Sequence, residues 1–96
     1  MKRSTKAERW FDEGVQRYQA GEPQKALAAF EEAAGLYRTL IAEGQAQYRP
    51  ELAGTRMNEG VALRALNRPG DALARYEKAA GLYRTLIAEG QAQYRP

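Results

Sequence analysis

An 18-residue block, AAGLYRTLIAEGQAQYRP, occurs twice in this chain, at residues 33–50 and again at 79–96. A copy of that length constrains the fold more than any other feature. A fixed period means that each unit is one supersecondary element stacked on the next. The period is 46 residues, and the chain divides into a basic leader (1–4) and two units, 5–50 and 51–96. The units agree at 27 of 46 positions, and the divergence is concentrated in the first half of each. Recent duplication within a natural array and copying of a segment by construction both leave such a pattern. Natural copies drift, so the unbroken block favours an engineered or excised repeat.

Each unit reads as a helical hairpin. In unit one Thr5 is spaced from Glu8 as in a capping box, which predicts a first helix from there to about residue 20. Gly21 ends it and Pro23 suits the first turn of a second helix, over about 23–43. Ala26, Phe30, Ala33, Tyr37 and Leu40 form an apolar stripe at alternating spacings of four and three. Gly44 is a stop signal, residues 44–49 are a connector, and Pro50 can open the next helix. Unit two repeats the plan, with a third helix over about 51–66, a turn at Asn67-Arg68, and a fourth helix over about 69–89. Its stripe is Ala72, Tyr76, Ala79, Tyr83 and Leu86. No segment alternates with period two, so the expected class is all-α.

Within this pattern Trp10, Gly14, Tyr18, Gly21, Ala26, Phe30 and Ala33, with Gly60, Ala72, Tyr76 and Ala79 at the same offsets in unit two, resemble the tetratricopeptide repeat family. The resemblance covers about residues 7–36 and 53–82. It implies antiparallel helix-turn-helix repeats, A1-B1-A2-B2, forming a short right-handed α-solenoid. Gly14 and Gly60 would let the paired helices approach. Ala26, Ala33, Ala72 and Ala79 would stay small for the same reason, with Phe30 and Tyr76 filling the gap. The family repeats at about 34 residues. The longer period here predicts extended B helices, outrunning their A helices by two to three turns. Arg56 stands where an early aromatic is expected, and Glu13 and Glu59 where a leucine is usual. Glu13 has Arg17 one turn on, and Arg56 reaches Glu59. The expectation for both pairs is a solvated salt bridge, with a polar seam between hairpins as the alternative.

The resemblance also implies a protein or peptide partner held in a concave groove lined by A helices. The corresponding positions are Glu8, Phe11, Asp12, Val15, Tyr18 and Gln19, with Met57, Asn58, Val61, Arg64 and Ala65. For Phe11 and Met57, packing against a neighbouring hairpin or a second chain is the competing role. The family's carboxylate clamp is not expected, since Phe11 and Val15 occupy its places and only Asn58 fits.

Composition removes most chemistry. Cysteine and histidine are both absent and Ser4 is the only serine, so thiolate sites, an imidazole base and a Ser–base pair are unavailable. No cofactor and no enzymatic activity are expected. Fifteen Lys+Arg against 12 Asp+Glu gives +3, too little to argue for nucleic acid alone, and no aromatic–basic blocks accompany it. Arg56, Arg64 and Arg68 share one helix face and read as a solvated face rather than an anion patch. Tyr37-Arg38 and Tyr48-Arg49, repeated as Tyr83-Arg84 and Tyr94-Arg95, are expected to fix the connector and helix end, with a cation–π contact in reach. No apolar run is long enough to cross a bilayer and none follows the basic start, so no membrane partner is expected and a soluble, cytoplasmic setting is.

Two hairpins are fewer than the three or so that a stable solenoid needs. The second unit's connector leads to no further helix in this sequence. Tyr83, Leu86 and Ile87 are therefore expected to be under-covered, and another copy is expected to complete them, with Trp10 and Phe11 of its first helix as candidates. The expected partner is the chain itself, as a homo-oligomer.

Overall fold

Two prolines and three left-handed turn residues set the plan. A computed structural model describes the backbone of residues 3–94 and the side chains of residues 6–90. The helices are α1 (Arg3–Gln19), α2 (Pro23–Ala42), α3 (Arg49–Ala65) and α4 (Pro69–Tyr94), with a 3-10 turn at Ala46–Tyr48. There is no strand among the described residues. Pro23 and Pro69 each occupy the first position of a helix, where a missing N–H costs nothing.

The turns share one hydrogen-bonding pattern. Gly21 (φ +77°), Gly44 (φ +96°) and Asn67 (φ 60°) are left-handed. The amide after each reaches back five residues: Glu22 N to Arg17 O at 2.9 Å, Gln45 N to Leu40 O at 3.0 Å, Arg68 N to Leu63 O at 2.9 Å. These bonds satisfy carbonyls that a helix end leaves open.

Three expectations change. Helix α1 already runs at Arg3, so Thr5 lies inside it and does not cap it. Helix α2, at 20 residues, exceeds the 17-residue α1 by less than a turn, whereas the 26-residue α4 outruns the 17-residue α3 by about two and a half. Helix α4 does not stop at Glu89. Gly44 breaks its helix, yet Gly90, in the same 18-residue sequence, continues its own. Local sequence cannot make that difference. In the first copy the connector is held from outside: Tyr48 stacks on Tyr37 at 5.9 Å, and α3 packs back against α2.

Consecutive helices pack, α1 on α2, α2 on α3, and α3 on α4. One apolar cluster centres on Ala33, Tyr37, Leu40 and Leu52, the other on Ala26, Phe30, Leu63 and Ala72. Glycine makes the hairpins close. A Cβ on Gly14 would lie 2.5 Å from Phe30 Cε1, and one on Gly60 would lie 2.5 Å from Tyr76 Cε1. The packing roles expected of Gly14, Gly60, Phe30 and Tyr76 are therefore seen as contacts, and Ala26, Ala33, Ala72 and Ala79 are all buried. Among the described residues no helix is long and apolar enough to cross a membrane.

Candidate functional site

The internal copy provides its own control for which surfaces are unfilled. Tyr37 of α2 is 2% exposed and its counterpart Tyr83 of α4 is 39% exposed. Leu27 is 8% exposed and its counterpart Leu73 is 57% exposed. Leu40 is buried while Leu86 is half-buried, and Ile41 is half-buried while Ile87 is exposed. The side chain and its place in the repeat are the same in each pair. What differs is that α3 lies against α2, and α4 packs on α3 with this outer face open.

A second surface is shared by residues of α1 and α3. Val15, Tyr18 and Gln19 of α1 and Asn58 and Val61 of α3 surround a depression of about 140 Å³ floored by Phe30. These are five of the positions taken as groove-lining from the sequence. Met57 is exposed, and Arg64 is exposed outside this depression. Phe11 is turned inward, its ring 5.6 Å from that of Phe30, and packs against both apolar clusters.

Trp10 is half-buried against the first cluster. Its free side shares an open depression of about 860 Å³ with Lys6, Arg9, Glu13 and Arg17, all on α1. Arg17 donates to Glu13 at 2.6 Å and to Glu22 at 3.1 Å. This is the solvated pair expected from the sequence, and the two carboxylates push the Arg17 guanidinium above its ordinary range.

The other expected surface pair is not on the surface. Glu59 is fully buried and Arg56 nearly so, with Arg56 Nη1 donating to Glu59 Oε1 at 2.8 Å. Arg75 of α4 brings its Nε to 3.4 Å from the same oxygen and lies 3.8 Å from Glu31 of α2. A polar seam therefore ties α2, α3 and α4 together. It also removes Arg56 from the expected arginine face, and Arg68 lies past the end of α3, paired with Asp71. Glu59 Oε2 and Arg75 Nε are buried without a hydrogen-bond partner. Burial pushes the Glu59 carboxyl above its usual range, against the opposing pull of Arg56. Sequence reasoning passed over Arg75. Its signal was its position, where unit one has Ala29.

The connector is held by aromatic stacking rather than a cation–π contact. Arg49 donates to Ala46 O at 3.1 Å and grips Glu89 of α4 with two bonds of 2.7 and 2.6 Å. The side chains of Tyr94 and Arg95 lie outside the described residues. Burial, and then the nearby carboxylates of Glu8, Glu51 and Asp12, push Tyr37 up to about 12. Among the described residues no three His, Cys, Asp or Glu side chains gather as a metal site. No protein-family model, curated protein or solved structure matches the chain.

Proposed function

We propose that this chain is a non-enzymatic protein–protein interaction scaffold of the tetratricopeptide type. In this reading its two hairpins form a short right-handed solenoid in a soluble, cytoplasmic setting, and it self-associates through its open outer surfaces. The exact 18-residue copy is what a duplicated or constructed segment would leave. The supporting observation is the contrast between Tyr37 and Leu27 of α2, which are covered, and Tyr83 and Leu73 of α4, which are not. Covering a leucine-sized side chain is worth about 1.5–3 kcal/mol. Tyr83, Leu86 and Ile87 together therefore favour a second protein surface.

Static light scattering over a concentration series tests this. The mass is expected to rise above that of one chain at high micromolar concentration. Ile87→Glu, at a solvent-exposed position, is expected to return it to one chain. A single-chain mass throughout refutes the reading.

The depression formed by Val15, Tyr18, Asn58 and Val61 favours a second reading, a peptide-binding module using the concave A-helix groove. It has an apolar floor and a side-chain amide at its rim, the composition of a small recognition pocket. Selection from a random peptide display library tests it. Enriched peptides should lose binding with Asn58→Ala or Arg64→Glu while the mass of the chain is unchanged. A library with no enriched sequence refutes it.

A further inference from the structure

The outer face of α4 carries an exposed apolar row. Leu73, Ala80 and Ile87 recur at seven residues, with Tyr76 and Tyr83 three residues after the first two. That is the spacing of a helix-pairing seam. Leu73 and Ile87 are the most exposed of the large apolar side chains, and Ala80 between them is small and half-buried. Leu73 and Ile87 are symmetric about Ala80. Reversing a second α4 across it sets Leu73 of one copy opposite Ile87 of the other, twice.

The flanking charges are centred half a residue from the same point. Glu77 and Arg84 lie one position beyond the tyrosines, and their midpoint is between residues 80 and 81. In an antiparallel pair Glu77 of each copy therefore stands beside Arg84 of the other. Both are exposed and neither is in an ion pair among the described residues. A parallel pair would not bring them together.

The other occupant to weigh is α1 of a second copy, taking the place that α3 takes on α2. Counting 46 residues back, Lys6, Arg9 and Arg17 would stand where α3 has Leu52, Thr55 and Leu63, all buried. Docking α1 would thus bury three cations, of which only Arg17 has a described carboxylate partner.

Resting on the self-association reading above, we propose that the assembly is a closed, two-fold dimer in which two α4 helices pair antiparallel across Leu73, Ala80 and Ile87, leaving the charged face of α1 in water.

The chain has no cysteine, so single introduced thiols report geometry without background. Ala80→Cys is expected to cross-link to itself with a short bis-maleimide, while an equimolar mixture of Arg9→Cys and Ala80→Cys chains yields no 9–80 product. Sedimentation of the unmodified chain is expected to level off at two chains. Glu77→Arg is expected to weaken the dimer about tenfold by placing like charges together twice, and adding Arg84→Glu is expected to restore it. Growth beyond two chains with a 9–80 cross-link means head-to-tail stacking, which overturns the proposal and leaves self-association standing. A dimer that the double variant does not restore overturns the antiparallel register. A chain that stays single at every concentration overturns the proposal together with the reading beneath it.

Discussion

Gly44 and Gly90 occupy the same place in the same 18-residue sequence, yet alanine at the two sites should act in opposite directions. Gly44 has φ +96° and opens the turn after α2, whereas Gly90 is helical. A Cβ at either meets nothing within 4 Å, so neighbouring atoms do not decide the outcome. Backbone conformation does. Alanine in the left-handed region costs about 1–2 kcal/mol, partly offset by about 0.4–1 kcal/mol from a stiffer unfolded chain. Gly44→Ala should therefore lose about 1 kcal/mol. In a helix the exchange instead gains up to about 1 kcal/mol. Gly90→Ala should be neutral to stabilising and should strengthen the 222 nm helical signal. The two sites share their flanking sequence, so unfolded-state effects nearly cancel and the difference reports the folded state. Urea titrations at low micromolar concentration, followed by circular dichroism, should separate the variants by about 1–2 kcal/mol. Equal effects at both sites would refute the claim that packing rather than local sequence sets where the helix ends.

Other outcomes follow from the same contacts. Gly14→Ala forces a methyl to 2.5 Å from Phe30, which is 2% exposed and cannot yield, so it should destabilise by about 1–2 kcal/mol net in a thermal melt. Gly60→Ala meets the half-buried Tyr76, which can swing outward, and should cost less; the reverse order would contradict the packing described. Glu59 has a carboxyl raised in the folded state, so folding takes up protons between its unfolded value near 4.5 and the higher folded one. The wild type should therefore lose stability relative to Glu59→Gln as pH rises through that window and level off above it. Denaturation curves of both proteins across that range check the sign. Tyr37, pushed up to about 12 from 10, should add a late step to an absorbance titration at 295 nm that Tyr37→Phe lacks. Above pH 10 the folded state should lose up to about 2–3 kcal/mol that Tyr37→Phe retains.

The helices and turns were legible in the sequence because their signals are local. Proline at the first position, glycine after the last, and a stripe at spacings of four and three each act within a few residues. The close approaches at Gly14 and Gly60 were expected only from the family resemblance. What the sequence concealed depends on neighbours distant along the chain. Glu59 looks like one half of a surface pair until α4 brings Arg75 over it. Phe11 looks like a groove residue until Phe30 draws it inward. Gly90 looks like a stop until one asks what holds Gly44 in its turn. Val15, Tyr18, Asn58 and Val61 do line one depression, with Val15 and Val61 counterparts one repeat apart.

The central claim is that the face covered on α2 and open on α4 is completed by a second copy. Sedimentation equilibrium from low to high micromolar concentration tests it most directly. The weight-average mass should rise from the 10.7 kDa chain to a plateau at twice that value, with a flat single-chain profile for Ile87→Glu. A wild-type chain that stays at 10.7 kDa across the whole range would contradict it.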